Sequence, residues 1–337
     1  MSIVWKPIEP SDTPSWAELS NLLATADGSD EHYAPEDLAE ELEEPGVDPI
    51  LDTLGGWEGR DMVAYGQLRV GAGLRDGIAK AFLGGGVHPG WRGRGLGRAV
   101  MDWIEPRAAQ LAGTRHPGAP GLLSVWAGTP GSASSRLAAA RGYRPARYLQ
   151  DLQLDLADWS PQLTDLGHSG GLRRHATGPG VPFDVADGDL AEGTRRAHNE
   201  AFAQHRGTTE RDQGLWAAQL SGSTFRPELS RVALSTDGAL APRDAVDGYV
   251  LCGEYVPGEL YVCFVGTRRR ARGRGVATGL LVDVLTAAKE EGFRVAALGV
   301  DAESPLGGVG LYERIGFRRV RTDVVYEKPL AAHAEIA

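Results

Sequence analysis

Two arginine–glycine stretches carry the residue types and spacing best suited to chemistry: Arg92-Gly93-Arg94-Gly95-Leu96-Gly97-Arg98 and Arg272-Gly273-Arg274-Gly275-Val276-Ala277-Thr278. A glycine turn that opens a helix leaves backbone N–H groups converging beside the positive end of the helix dipole, which makes an anion site. Glycine lets the backbone turn close to the ligand, and a small residue at Gly97 or Ala277 removes the side chain that would block a phosphate. The spacing limits the ligand. A dinucleotide fingerprint needs a further glycine where Arg98 and Thr278 stand, and neither loop supplies the G-K-[ST] of a P-loop.

The elements that must hold these loops recur in the same order. VHPGWRGRGLGRAV reappears as GTRRRARGRGVATGLL, so the chain reads as two homologous halves. WEGRDMVAYGQLRVGAG reads as a hairpin turning at Glu58 to Asp61, and DAVDGYVLCGEY is its counterpart. After each loop apolar residues recur at helical spacing: Leu96, Val100, Trp103, Ile104 and Leu111, then Val276, Leu280, Leu281, Val284 and Leu285. Pro106 removes a backbone donor inside the first of these helices and predicts a kink or stop. LLSVWA and VAALGV are short apolar strands, and Gly142-Tyr143 and Gly316-Phe317 close the two copies. The result is an α/β chain with one domain over 1–157, a Pro, Ser and Gly-containing linker over 158–171, and a second domain over 172–337.

Arg92, Gly95 and Gly97, and again Arg272, Gly275 and Ala277, match the pyrophosphate motif of the GNAT superfamily of N-acetyltransferases: arginine or glutamine, two residues, glycine, one residue, glycine or alanine. The resemblance covers nearly the whole chain outside the linker. Its layout is similar to the mycothiol synthases and related double-domain acetyltransferases of actinobacteria. It implies two tandem GNAT-type domains, each a mixed, mostly antiparallel sheet flanked by helices, with acetyl-CoA as co-substrate. Gly93, Arg98, Gly273, Arg274 and Thr278 complete the two implied cofactor loops, and the preceding strands, at Gly85 and Val87 and at Val265 and Thr267, would meet the pantetheine arm.

LYERIGF resembles the second cofactor motif of that superfamily, whose tyrosine acts as general acid at the CoA sulfur; here it is Tyr312. Aligning Gly142-Tyr143 with Gly316-Phe317 puts Ala138 at that place in the first copy, so the N-terminal domain is expected to be degenerate and the C-terminal one catalytic. An alkylamine with a lysine-like pKa costs about 4.6 kcal/mol to present unprotonated at neutral pH, so a base is needed. Glu259 is the candidate and Glu254 the second choice, although Glu259 stands two residues further from Arg272 than the family pattern places its glutamate. Ser304 replaces an asparagine often found in the second motif. His198, His205 and Trp216 lie in the helical opening that covers the acceptor site in this superfamily; the plainer reading is a helix with Phe202 and Trp216 toward the core and the histidines outside.

Composition is ordinary for a globular soluble protein. Hydrophobic residues are 42% and charged residues 24% of the 337, enough for a core in each half. The net charge of −10 argues against nucleic acid as a partner, because phosphate neutralisation needs a basic surface. No stretch suits a membrane span, the first residues do not read as a signal peptide, and Cys252 and Cys263 lack zinc or redox spacing. The expectation is a cytoplasmic, metal-free acetyltransferase acting on a small-molecule amine. The acidic run from Glu36 to Glu44 reads as a solvated helix face. The reading from a different class is a non-catalytic acyl-CoA-binding sensor or scaffold.

Overall fold

The computed structural model describes residues 3–29, 32–161, 180–203, 210–302 and 308–330. Its first half contains β1 (Val4–Lys6), α1 (Thr13–Asp27), α2 (Pro35–Leu42), α3 (Pro49–Asp52), β2 (Thr53–Glu58), β3 (Asp61–Val70), β4 (Ala79–Val87), α4 (Leu96–Arg115), β5 (Gly121–Trp126), α5 (Ala133–Ala140) and β6 (Arg144–Asp155). The second contains β7 (Val181–Pro182), α6 (Gly188–Phe202), α7 (Gln213–Ser221), β8 (Arg231–Leu234), β9 (Val246–Val256), β10 (Glu259–Thr267), α8 (Val276–Glu290), β11 (Val295–Asp301), α9 (Gly308–Ile315) and β12 (Arg318–Pro329). Two compact units result: Met1–Tyr148 with Asp323–Ala337, and Leu149–Thr322.

In unit 1 the strands lie in the order β1-β2-β3-β4-β5-β12, with β4 and β5 parallel and the other neighbours antiparallel. The β2–β3 hairpin turns at Gly59, whose φ of +62° suits glycine. One sheet face packs Leu68, Ala81, Leu83 and Leu123 against Met101, Ile104, Ala108 and Ala112 of α4; on the other side Ile8, Trp57 and Met62 meet Trp16, Leu19, Leu38 and Leu42. The α4 helix continues past Pro106 to Arg115, so of the expected kink or stop the stop does not occur. Burial of Ile104 before the proline, and of Ala108 and Ala112 after it, holds both halves against the sheet at the cost of one hydrogen bond. The acidic run forms α2 and the turn after it; Glu41 in the helix and Glu44 beyond it pair with Arg69 at 2.9 and 3.3 Å while Leu38 and Leu42 are buried.

Unit 2 has the order β6-β11-β10-β9-β8-β7, again with one parallel pair, β10 and β11. The predicted stripe on α8, Val276, Leu280, Leu281, Val284 and Leu285, is buried against Val250, Cys252, Leu260 and Val262. The opposite face packs Tyr249 and Leu251 against Ala197 of α6 and Trp216 and Leu220 of α7.

Each unit is completed by a strand from the other half of the sequence. Leu149–Asp155 of β6 pair with β11, and Val325–Pro329 of β12 pair with β5. A division at residues 157 and 171 leaves each closing strand with its own copy; the contacts assign them the other way, because the bare outer edges of β11 and β5 need a partner wherever one is within reach. Residues 162–171 of the expected linker, together with His205 and Ser304, lie outside the described residues.

Candidate active site

The two arginine–glycine loops have nearly the same geometry. Gly93 and Gly273 have φ of +78° and +72°, and Gly95 and Gly275, the residues that cap α4 and α8, have +87° and +76°. Non-glycine residues pay for that conformation, so the turn selects glycine. Neither helix start has a side-chain cap, which leaves the N-terminal N–H groups aimed outward as an anion site requires. Arg92 Nε donates to the Val87 carbonyl at 3.1 Å and Arg272 Nε to the Thr267 carbonyl at 3.2 Å. Both arginines therefore brace the loop against the end of the preceding strand. They differ beyond that bond: the Arg92 guanidinium grips both oxygens of Asp27 at 2.8 and 2.6 Å, and among the described residues no carboxylate pairs with Arg272.

The strand below each loop parts from its parallel neighbour. Residues 79–83 of β4 pair with β5 and residues 84–87 do not; in unit 2 only Glu259–Tyr261 pair with Val295–Ala297. Val265 and Thr267, like Gly85 and Val87, thus lie where the backbone edge is open to an extended ligand such as a pantetheine arm. Unit 2 has one further device. Between the pairs Val262–Cys252 and Phe264–Leu251, Cys263 is an extra residue in β10, a bulge that kinks the strand and breaks its ladder, whereas the β3–β4 ladder runs without interruption. Cys252 is buried packing as expected; Cys263 is only half-buried, with its thiol pushed up to about 11, mainly by burial.

Tyr312 and Ala138 hold equivalent places. The carbonyl of Ala138 accepts the N–H of Tyr143 at 3.1 Å and that of Tyr312 accepts Phe317 N–H at 3.0 Å, with Gly142 and Gly316 both at positive φ. The Tyr312 ring packs edge-on against Phe317 at 5.9 Å, and burial raises its hydroxyl to about 12. Such a group stays protonated at neutral pH and can donate.

On the α6 side, Tyr249 crosses Gly266 of β10, and its hydroxyl lies 2.8 Å from His198 Nδ1. Burial pushes Tyr249 well above an ordinary tyrosine, and nearby Tyr312 adds to this. His198 is fully buried, correcting the expectation of exposed histidines; it stacks on Phe202 at 4.5 Å with Trp216 and Phe264 around it, and its Nε2 has no partner among the described residues. Burial first, and then the Arg211 charge, lower it to about 4. Trp216 is core, its Nε1 donating to the Ala191 carbonyl at 3.1 Å. In unit 1 Tyr65 faces Gly86 as Tyr249 faces Gly266, but Leu23 packs there in place of the histidine. No motif announces Tyr249; the signal available was the glycine opposite it in the hairpin register.

The carboxylates stand lower. Glu259 opens β10, paired with Val256 on one side and Val295 on the other, and the strand rises ~25 Å from it to Thr267. Glu254 accepts the Gly258 N–H at 2.9 Å and pairs with Arg226 at 2.9 Å, and these bonds, the backbone one foremost, hold its carboxyl below the ordinary range. It clamps the hairpin and is a weaker base for that reason.

Residues 196–317 match the model of the Acetyltransferase (GNAT) family. A mycothiol acetyltransferase of Nocardia farcinica is 34% identical over 317 residues, 90% of this chain and 91% of that protein. The mycothiol acetyltransferase of Cellulomonas flavigena is 31% identical over 281 residues, 81% of this chain and 72% of its own. Among solved structures, a GCN5-related N-acetyltransferase from Sphaerobacter thermophilus superposes with a TM-score of 0.73 at 24% identity, covering 98% of this chain and 96% of that one. A tandem GNAT protein from the clavulanic acid biosynthesis pathway gives 0.65 at 18%, covering 98% and 100%, so the fold is shared beyond sequence similarity. With the doubled anion loop, the parted strands and relatives above 30% identity along most of its length, the chain belongs to the GNAT family of N-acetyltransferases.

Proposed function

We propose that unit 2 moves an acetyl group from acetyl-CoA to the primary amine of a small molecule by direct attack in a ternary complex, and that unit 1 keeps the fold and the loop without the chemistry. The observation that carries this reading is the contrast at two matched helix ends, Tyr312 in unit 2 and Ala138 in unit 1. The thioester supplies the activated acyl group, and the chain's own residues bind, orient and move protons. The N–H groups of Arg272 to Thr278 hold the pyrophosphate, Val265 and Thr267 offer backbone bonds to the pantetheine, and Tyr312 gives its proton to the departing sulfur. Gly85, Val87, Arg92, Gly93, Gly95, Gly97 and Arg98 form a second cofactor-binding or purely structural loop in unit 1. A base, direct or through water, must take the ammonium proton, and Glu259 is the sequence's candidate.

The test is CoA release from acetyl-CoA with a panel of primary amines, the unacetylated precursor of mycothiol among them because the relatives are mycothiol acetyltransferases. Wild type, Tyr312→Phe, Glu259→Gln and Arg92→Ala are compared. Amine-stimulated release that Tyr312→Phe removes and Arg92→Ala leaves assigns catalysis to unit 2. Binding of CoA without turnover of any acceptor overturns the reading in favour of a sensor.

A further inference from the structure

The opening between β10 and β11 has a floor at Gly299. This residue lies two positions beyond Ala297, the last β11 residue that pairs with β10, and it is exposed. Its partner on the other side is Asp151 of β6, and directly paired antiparallel residues point to the same face of a sheet. A Cβ built on Gly299 would meet the Tyr261 hydroxyl at 3.1 Å and Asp151 Oδ1 at 3.8 Å, so the two oxygens converge on the same small space. Burial raises the Tyr261 hydroxyl to about 12, and Asp151 adds to this. Tyr255 closes the side, its ring edge-on to Tyr261 at 5.4 Å.

Unit 1 provides an internal comparison. Counted on the faces buried by α4 and α8, Ala81, Leu83, Leu123 and Val125 match Leu260, Val262, Ala296 and Leu298. Phe82, Trp126 and Val325 then stand where Tyr261, Gly299 and Asp151 stand in unit 2. At these positions unit 1 has an indole, bonded at 2.8 Å to Asp323 two residues along β12, and an aliphatic side chain in place of Asp151. The copy with Tyr312 has a gap and an acid.

Tyr312 packs on the α8 side of the sheet, and Asp151 is on the other, α6, side. An acid and a base on opposite faces of one opening suit a displacement in which the nucleophile enters from one side and the leaving group is protonated on the other. Glu259 is held between two paired strands below the opening. We propose that Asp151, resting on the reading of unit 2 as the acetyltransferase, is the group that receives the acceptor's ammonium over Gly299 and takes its proton. The ammonium gives one proton to the carboxylate; the nitrogen bonds to the thioester carbon as the carbon–sulfur bond breaks with its electrons on sulfur. Tyr312 protonates the sulfur and is reprotonated from solvent, while Asp151 passes the first proton to solvent and then the second, which the acylated nitrogen gives up. The sum is amide, thiol and one proton released.

The experiment measures acetyl transfer to the best amine of the panel and to hydroxylamine, which is uncharged at neutral pH and needs no prior deprotonation. For Asp151→Asn the expected result is a loss of about 100-fold or more in kcat/KM for the amine. Hydroxylamine turnover and calorimetric CoA affinity should stay within about threefold, and Asp151→Glu should recover part of the amine activity. Gly299→Ala, whose methyl group would occupy the floor, should raise KM for the amine and leave CoA affinity alone. Amine transfer by Asp151→Asn at the wild-type rate, equal losses with amine and hydroxylamine, or an unchanged KM in Gly299→Ala each overturn the assignment while the acetyltransferase reading stands. Wild type that transfers to hydroxylamine but to no amine also overturns it. If wild type transfers to neither, the proposed function fails and this assignment fails with it.

Discussion

Tyr249 lies across Gly266 so closely that a Cβ on Gly266 would fall 2.3 to 2.5 Å from its ring and hydroxyl. The ring is fixed by burial and by its bond to His198, so it cannot yield as a flexible chain end would. Gly266→Ala is therefore expected to cost about 1–3 kcal/mol in urea unfolding, the range for forced overpacking. It should also lower acetyl transfer by displacing Tyr249. A fully active, equally stable alanine variant would show that the pair moves freely.

Removal of the Tyr312 hydroxyl should cost about 10²-fold or more in amine-dependent CoA release and little stability, because the ring keeps its contact with Phe317 in Tyr312→Phe. With its hydroxyl raised to about 12, Tyr312 remains protonated through the range in which the enzyme can be assayed. Any fall in rate between pH 6 and about 9 must then come from another group. A pH–rate profile whose alkaline limb fell near pH 8 and was traced to Tyr312 by NMR titration would contradict this.

Acid should destabilise unit 2 through His198. In the unfolded chain the imidazole takes a proton near pH 6.5, and in the folded unit only near 4, so the unfolded state binds more protons between those values. The associated stability is complete above about pH 6.5 and is lost as the pH falls toward 4, by about 3 kcal/mol in all. Leu23 occupies the matching place in unit 1, so His198→Leu combined with Tyr249→Phe should flatten this acid limb in urea titrations at pH 4 to 7.

The two bracing arginines should behave differently. If the Arg272 loop holds the cofactor as proposed, Arg272→Ala frees it, and calorimetry should show CoA binding weakened by about tenfold or more, in line with the loss of a charge-assisted bond. Arg92→Ala breaks the partly exposed pair with Asp27, for which about 1 kcal/mol of stability or less is expected, and kcat should not change. A fall in kcat equal to that of Arg272→Ala would mean that unit 1 takes part in turnover.

What the sequence determined by itself was local. A glycine at positive φ, an apolar stripe at helical spacing and a hydrogen-bonded helix end are each set within a few residues, so the two loops, the α8 stripe and the match of Ala138 with Tyr312 could be read directly. Tertiary structure decided everything that depends on strand pairing and burial. The bulge at Cys263 exists only relative to β9, His198 is inside because Phe202, Trp216 and Phe264 close around it, and α4 passes Pro106 because the sheet holds both its ends. Asp151 lies 161 residues before Tyr312 in the chain. It reaches the same unit because the open edge of β11 is satisfied by a strand from the other half of the sequence, and backbone hydrogen bonding selects a partner by reach and register and takes no account of distance along the chain.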